Sequence, residues 1–294
     1  MELPLWQVLI LAVVQGVAEF LPISSSGHVV VLGRLMHGSG SEPPDIGDLN
    51  IVLHLGTLAS IVVYYWSRIL RLLGADRRII GMLILATLPA VLVGLPLKFF
   101  AEDLLENPWI AGFMFPMSGL ALLWLSRCSA GKVEYPQMTV SQALWIGISQ
   151  AVAILPGLSR SGSTITTGVT TGLTRNSAAA FSFLMAVPVI AGAGLLQAID
   201  FFKEGKLSTP IGYLLLGALV AFVTGLGTLW VLNKWLEKGR LHIFAWYCII
   251  LGVVVLGWQT SLWLQTVPKP DVAAWKPAVV KTPHDALDES NLGR

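Results

Sequence analysis

Charged residues are scarce in this chain of 294 residues. They make up 12% of it, whereas hydrophobic residues reach 54% and the mean hydropathy is +0.72. Soluble globular proteins carry about 25% charged residues. Cysteine is scarce too, and Cys128 and Cys248 fit neither a disulfide framework nor a Cys-x-x-Cys metal site. These shortages exclude a secreted disulfide scaffold, a nucleic-acid binder and an ordinary cytosolic enzyme, and they predict an integral membrane protein.

Long apolar runs account for most of the chain. A transmembrane helix needs about 20 apolar residues, and six runs have that length. Tryptophans at the edges of several runs (Trp66, Trp109, Trp230 and Trp263) fit the aromatic belts of membrane proteins. The six predicted spans are 49–66, 79–98, 109–126, 177–199, 211–233 and 243–264.

Two further apolar regions, 5–37 and 140–174, are interrupted in the middle by proline, glycine and serine. Proline removes a helix hydrogen-bond donor and clashes with the preceding turn. Such a break is tolerated at membrane depth only where the backbone faces protein or water. Each region is therefore predicted to be a re-entrant hairpin of helix, break and helix. The alternative, that each half crosses as a short span, stays open because hydropathy does not separate the two.

The two interrupted regions match each other at an offset of 135 residues. The matched pairs are Gln15 with Gln150, Val17 with Val152, Ala18 with Ala153, Ser24 with Ser159, Ser26 with Ser161 and Gly27 with Gly162. The chain thus reads as two repeats, 1–133 and 139–266. We predict an all-α polytopic membrane protein with an inverted-topology repeat, each repeat being one re-entrant helix hairpin plus three transmembrane helices. In such architectures the breaks meet near the midplane and form the binding site.

Positive charges predict the orientation. Ten lysines and arginines share one set of loops: Arg68, Arg71, Arg77, Arg78, Arg127, Lys132, Arg175, Lys234, Lys238 and Arg240. The opposite loops hold Lys203 and Lys206, with Lys98 at a helix end. The positive-inside rule places the first set in the cytoplasm. Both termini and the opening of the site are then extracytoplasmic, and the polar, proline-containing stretch 267–294 is predicted to be a disordered tail without a partner.

Ionisable residues inside membrane segments are costly and mark function by default. Those picked out here are Glu19, His28 and Arg160, while Arg34 and Asp200, near segment ends, are expected to snorkel and to cap a helix. Glu19 and Arg160 each lie at a break beside hydroxyl groups, and a purely structural ion pair between them is the alternative. If the hairpins meet, they supply Gln15, Glu19, Ser24, Ser25, Ser26, Gly27, His28, Ser159, Arg160, Ser161, Gly162, Ser163 and Thr164.

This set of residues suits a phosphate anion together with a metal ion. Arginine offers a bidentate fork for phosphate oxygens, and helix N-termini attract anions. Gln15 and Glu19, one helical turn apart, can hold a divalent cation through oxygen atoms. His28, taken as the imidazole close to the hydroxyls, can act as base, acid or nucleophile. A phosphate site inside a bilayer predicts a substrate with a lipid tail.

The sequence resembles the bacterial undecaprenyl-diphosphate phosphatase family of the bacitracin-resistance type. The resemblance rests on the runs from Gln15 to His28 and from Leu155 to Gly162, supported by Leu53–Leu58 and Phe181–Pro188, and it covers about residues 5–264. It implies hydrolysis of the C55 polyprenyl diphosphate to the monophosphate and inorganic phosphate in the bacterial inner membrane. It also implies recycling of the lipid carrier of peptidoglycan synthesis, bacitracin resistance, and dependence on a divalent cation, Mg or Ca.

The resemblance also implies roles for individual residues. Glu19 and Gln15 would hold the metal, and Arg160 would clamp the diphosphate. His28 would either attack phosphorus or relay a proton to or from Ser25 or a water, either of which would then be the nucleophile. The remaining substrate-binding residues would be Ser24, Ser26, Gly27, Ser159, Ser161, Gly162 and Thr164. The type-2 phosphatidic acid phosphatases are excluded because they need a histidine where Thr166 stands. The alternatives left open are a polyprenyl-phosphate flippase, a structural membrane scaffold and, for assembly, a homodimer.

Overall fold

Twelve α-helices and one short 3-10 turn (Tyr135–Gln137) form the regular structure of residues 3–37, 47–204 and 209–266, which are the residues that the computed structural model describes. The helices are α1 (Leu5–Ala18), α2 (Ser25–His37), α3 (Gly47–Tyr64), α4 (Trp66–Leu72), α5 (Arg77–Phe100), α6 (Glu102–Leu105), α7 (Pro108–Arg127), α8 (Val140–Val152), α9 (Arg160–Thr170), α10 (Arg175–Glu204), α11 (Ile211–Lys238) and α12 (His242–Thr266). No strand occurs in these ranges, so the all-helical prediction is confirmed.

The chain divides into two units, one ending at Gln259 and one beginning at Thr260. The first unit contains everything discussed below. Of the second, the structure describes only the helical residues up to Thr266. The predicted disordered tail 267–294, Lys206 and the side chain of Asp200 lie outside the described residues.

The predicted membrane spans correspond to helices. In the part of the chain that the structure describes, five helices are long and apolar enough to cross a bilayer: α5, α7, α10, α11 and α12. The sixth predicted span, 49–66, is bent, because α3 ends at Tyr64 and the chain turns by 76° into α4. The multi-pass membrane architecture is thus confirmed. The outward faces of these helices carry exposed leucines such as Leu92 and Leu215, as expected of helices surrounded by lipid.

Both interrupted regions form two helices separated by a break, as predicted. Glu19–Ser24 separates α1 from α2, and Ala153–Ser159 separates α8 from α9. The two helices of each pair pack against each other. Each break contains one residue with a left-handed backbone, Ser24 at φ 69° and Gly157 at φ 89°. Whether each hairpin re-enters the bilayer or crosses it stays a prediction, as does the inverted orientation of the repeats.

The order of helices repeats along the chain. At the offset of 135 residues, α1, α2, α5 and α7 correspond to α8, α9, α11 and α12 within a few residues at each end. Contacts between the halves follow the same correspondence: α1 packs against α11, α8 packs against α5, and α3 packs against α10. Each hairpin is therefore held mainly by a long helix of the other half, and this exchange brings the two breaks together.

Buried aromatic side chains surround the breaks. Phe20, in the first break, is fully buried and packs edge-on against Phe183 of α10, with ring centroids 5.6 Å apart. Ile61 of α3 and Ile165 of α9 belong to the same cluster. In a bilayer such contacts stabilise the packing of helices through close van der Waals contact. This packing fixes the backbone from which Glu19 and Arg160 project.

Candidate active site

The two breaks meet directly, and Ser24 joins them. Its hydroxyl oxygen accepts hydrogen bonds from the backbone N–H of Gly27, in its own hairpin, at 3.3 Å, and of Gly157, in the other, at 3.1 Å. Among the described residues Ser24 alone combines a side chain with a positive φ. Gly27 lies so close to Gly157 that a Cβ on Gly27 would come within 2.7 Å of the Gly157 nitrogen. The hairpins are therefore locked together by backbone contact.

Several hydroxyls predicted to bind substrate make hydrogen bonds within and between the hairpins and to α10, and their binding of substrate stays a prediction. Ser159 accepts from the N–H of Gly162 at 3.1 Å and so caps α9. Ser161 donates to the carbonyl of Leu21 in the other hairpin at 3.2 Å. Thr164 is fully buried and bonds to Ser182 of α10. We conclude that these groups position the two hairpins, because freed backbone groups and buried hydroxyls need partners at this depth.

An ion pair between Glu19 and Arg160 lies at the junction. Arg160 Nη2 donates to Glu19 Oε1, and both side chains are largely buried. The other carboxylate oxygen, Oε2, accepts from Ser25 Oγ at 2.7 Å and from Gln15 Nε2 at 3.0 Å. The sequence prediction that Gln15, Glu19, Ser25 and Arg160 come together is thus borne out by the geometry. A charge pair so buried is a weak source of stability, and this favours a functional reason for it.

Two polar atoms of this cluster lack a partner. Arg160 Nη1 and Gln15 Oε1 are both buried, and neither makes a hydrogen bond within the described residues. Buried polar atoms are nearly always paired, so each exception calls for an explanation. One is a donor that can bind an anion, and the other is an acceptor that can bind a cation. The cluster is therefore suited to a ligand that brings charges of both signs.

Two helices begin at this junction. Ser25 is the first residue of α2 and Arg160 the first of α9, and neither helix has an acidic residue in its first turn. A helix N-terminus carries roughly half a positive charge and unpaired N–H groups. Ser25 is half-buried and Ser26 is exposed, unlike the buried Ser24. With Arg160 between the two helix starts, the junction is an anion site that the Glu19 carboxylate partly neutralises.

His28 lies differently from the prediction. Its Nδ1 is 2.6 Å from the carbonyl oxygen of Ser24, and its Nε2 is 2.7 Å from Tyr247 Oη of α12. The ring stacks parallel to that of Tyr247, with centroids 5.7 Å apart. A carbonyl only accepts, so Nδ1 carries a proton, and in the neutral imidazole Tyr247 donates to Nε2. Both nitrogens are therefore engaged, and His28 makes no hydrogen bond to Ser25 or Glu19 among the described residues.

The sequence names His28 as the imidazole close to the hydroxyls, and the structure places a second imidazole, that of His54, beside the Glu19 carboxylate. His54 lies in α3, and its Nε2 is 3.7 Å from Glu19 Oε2. Its Nδ1 bonds to the carbonyl oxygen of Asn50 at 2.7 Å. Sequence reasoning left His54 out, although a signal was present: it is an ionisable side chain inside an apolar span, like the three that were singled out.

The cluster also fits a divalent cation. Glu19 Oε2, Gln15 Oε1 and Ser25 Oγ are oxygen donors of the kind that Mg²⁺ and Ca²⁺ prefer, and the unpaired Gln15 oxygen is the observation that supports the fit. Within the described residues no group of three or more His, Cys, Asp or Glu side chains is placed to hold a metal. Such a small number of protein ligands is compatible with Mg²⁺, because this ion usually keeps several waters and binds substrate phosphates.

Comparison with known proteins agrees with this site. The model of the family described as bacitracin resistance protein BacA matches residues 8–254. The chain belongs to this family. It is 46% identical over 251 residues to a protein of Rhodopirellula baltica named undecaprenyl-diphosphatase, with 85% of this chain and 96% of that protein covered. A protein of the same name from Moorella thermoacetica is 36% identical over 259 residues, with 85% and 96% covered. The matched region of this BacA family member contains both breaks and every residue of the cluster.

Removing the Tyr247 hydroxyl tests the placement of His28. We expect Tyr247→Phe to keep the stacking but lose one hydrogen bond, which costs about 1 kcal/mol. His28→Ala should cost more, because it also removes the ring's hydrogen bond to the Ser24 carbonyl, which then keeps only the backbone N–H of residue 28 as a donor. The measurement is the free energy of unfolding in detergent, with Tyr213→Phe, on α11, as control. Equal stability of the Tyr247 and Tyr213 variants would contradict the hydrogen bond.

Proposed function

We propose that this protein is an integral membrane phosphatase that hydrolyses undecaprenyl diphosphate to undecaprenyl phosphate and inorganic phosphate. The observation that carries the proposal is the cluster of Arg160, Glu19 and Ser25 at the start of two helices in a membrane-embedded body. The name undecaprenyl-diphosphatase, which relatives of 46% and 36% identity carry, supports the same substrate. The bilayer around the body supplies the environment for the lipid tail.

Arg160 binds the diphosphate in this proposal. In its guanidinium group, Nη1 has no hydrogen-bond partner within the described residues, and Nη2 pairs with Glu19. Diphosphate oxygens compete with the carboxylate for this fork, and the two helix N-termini add N–H donors. Binding of substrate therefore releases Glu19 Oε1 from Arg160. Phosphoryl transfer depends mainly on positioning and on stabilising charge at the phosphate oxygens, and Arg160 serves both purposes.

Glu19 accepts the proton that the nucleophile loses in this proposal. Ser25 Oγ donates to Glu19 Oε2, so the proton lies on the path from the hydroxyl to the carboxylate. The nucleophile is Ser25 or a water in its place, since both nitrogens of His28 are engaged elsewhere. The new O–P bond forms at the terminal phosphorus as the bond to the bridging oxygen breaks, and the lipid leaves as the monophosphate. If water attacks, inorganic phosphate forms in the same step; if Ser25 attacks, a water then cleaves the Ser25 O–P bond, which returns the serine hydroxyl and releases inorganic phosphate. A divalent cation held by Glu19 and Gln15 would supply further neutralisation of phosphate charge.

The cellular role follows from the same chemistry. The monophosphate is the form that accepts a new cell-wall precursor, so the proposed reaction recycles the lipid carrier of peptidoglycan synthesis. Enzyme that consumes the diphosphate also removes the target of bacitracin, which would confer resistance. From the distribution of lysine and arginine we place the termini and the opening of the site on the extracytoplasmic side of the inner membrane.

A polyprenyl-phosphate flippase is the second candidate. The observation that favours it is the repeat of helices with contacts exchanged between the halves, because paired repeats with broken helices are a transporter architecture. A carrier needs Arg160 to hold phosphate but has no use for a hydroxyl hydrogen-bonded to a carboxylate. The Ser25–Glu19 contact therefore favours the hydrolase.

Phosphate release by the purified protein tests both candidates. We expect release from a short-chain polyprenyl diphosphate in detergent, loss of release with EDTA and recovery on adding Mg²⁺ or Ca²⁺. Arg160→Ala and Glu19→Ala should abolish release, while Arg240→Ala, at an exposed position between α11 and α12, should not change it. Folded protein that binds lipid monophosphate without releasing phosphate would support the flippase instead.

A further inference from the structure

His54 faces the only carboxylate of the cluster with a nitrogen that has no hydrogen-bond partner there. Its Nδ1 lies 2.7 Å from the carbonyl oxygen of Asn50, which only accepts, so Nδ1 carries a proton. In the neutral ring, Nε2 then presents a lone pair to Glu19 Oε2 at 3.7 Å. That separation is too long for a hydrogen bond. Two electron-pair donors thus face each other across a gap.

The gap has nearly the size that a shared cation requires. Ligand atoms that each lie about 2.1 Å from one ion are roughly 3.0–3.4 Å apart at octahedral or tetrahedral angles. The 3.7 Å between His54 Nε2 and Glu19 Oε2 needs to close by only a few tenths of an ångström. Metal-binding histidines commonly donate their other ring N–H to a backbone carbonyl, which fixes the ring and its tautomer. His54 has this arrangement with Asn50.

A third donor lies beside the same oxygen. Gln15 is fully buried, its Nε2 lies 3.0 Å from Glu19 Oε2, and its Oε1 has no partner. Rotating the amide by 180° exchanges these two atoms and turns the oxygen toward the gap, and the two orientations fill the same space. Arg160 pairs with the other carboxylate oxygen, Oε1, so it does not occupy the side that His54 and Gln15 face.

We propose that His54 is a metal ligand that completes a cation site with Glu19 and Gln15. This inference rests on the proposed function and deepens it, because that proposal assigns the cation to Gln15 and Glu19 alone. A nitrogen ligand changes which ion is preferred, because Mg²⁺ and Ca²⁺ favour oxygen whereas Mn²⁺, Co²⁺ and Zn²⁺ accept imidazole well. The site should therefore bind Mn²⁺ more tightly than Mg²⁺, and the difference should depend on His54.

Pulsed electron paramagnetic resonance of Mn²⁺ bound to the purified full-length protein tests the proposal without using activity. A directly bound imidazole nitrogen modulates the Mn²⁺ signal. We expect this nitrogen modulation in the unaltered protein and its loss in His54→Gln, with a Kd for Mn²⁺ raised at least about tenfold. The Kd for Mg²⁺, measured by competition, should change by less than about threefold. His242→Gln, at the exposed first residue of α12, should keep both the modulation and the affinity.

Each other outcome has a definite meaning. Mn²⁺ that binds without nitrogen modulation, or modulation that persists in folded His54→Gln protein, would overturn the inference. If His54→Gln does not fold, Glu19→Gln serves as the second variant. In Glu19→Gln we expect weaker binding of Mn²⁺ with the nitrogen modulation retained, because His54 is still a ligand. Loss of the modulation while Mn²⁺ stays bound would count against the proposal. Phosphate release measured on the same samples separates the two claims, since an active enzyme without nitrogen coordination contradicts only the inference about His54.

Discussion

Arg160→Lys is expected to lower kcat/KM for polyprenyl diphosphate by at least about a hundredfold, and Arg160→Gln by about 10³–10⁵-fold. Lysine keeps the charge but loses the planar fork, which holds Glu19 with one nitrogen and offers Nη1 to phosphate. The measurement is steady-state phosphate release with saturating cation. A lysine variant as active as the unaltered protein would show that the positive charge alone suffices.

Measurements of stability separate the pairing of Arg160 with Glu19 from its proposed role in binding phosphate. Arg160→Gln leaves Glu19, whose side chain is 5% exposed, as an uncompensated buried charge, and breaking such a pair costs about 3–5 kcal/mol. The double variant Arg160→Gln with Glu19→Gln removes both charges, so we expect most of the stability to return while activity stays lost. An unfolding curve in detergent for the two single variants and the double variant gives the comparison. Recovery of activity in the double variant would argue against a direct role in binding phosphate.

Gly157→Ala is expected to have the largest effect on stability of any glycine substitution at the junction. Gly157 has φ 89°, and a Cβ there would lie 2.3 Å from the backbone oxygen of Ala111 on α7. The left-handed backbone costs of order 1–3 kcal/mol for a residue with a side chain. The clash with a backbone atom adds to it, because α7 has to move away. We expect a loss of more than about 3 kcal/mol, together with loss of phosphate release.

Gly172→Ala is the matched control for that prediction. Gly172 also has a positive φ, 107°, but the nearest atom to an added Cβ is 3.7 Å away. The Gly172→Ala variant therefore has the backbone strain without the clash. Its loss in free energy of unfolding should be close to the cost of the strain alone, and it should retain phosphate release. The free energies of unfolding of the two variants, measured under the same detergent conditions, isolate the clash. Similar losses in both would show that the contact between the second break and α7 is not tight.

Local signals along the chain predicted much of this fold. Hydropathy located the six spans, since burying about 20 apolar residues in lipid depends on composition and length. The breaks were predictable because proline and glycine act on the backbone where they stand. The match between the two hairpins, together with a charge at each break, predicted that Glu19 and Arg160 meet. The bend of 76° after Tyr64 had no comparable signal, because an apolar run looks the same straight or bent.

Side-chain partners were decided by tertiary packing. The run of serines before His28 favoured this histidine over His54 as the imidazole of the site. Tertiary packing places His28 against Tyr247, 219 residues away, and turns His54 toward Glu19. The hydroxyls of Ser161 and Thr164 were equally plausible ligands until the packing of the hairpins turned them toward a carbonyl and a neighbouring helix. The sequence by itself determined a membrane-embedded, twice-broken helical body with one acid and one arginine at its breaks, since hydropathy and helix breaking act over a few neighbouring residues. Only the tertiary structure decided which polar groups complete the site, because a hydrogen bond between distant helices depends on the position and rotation of both.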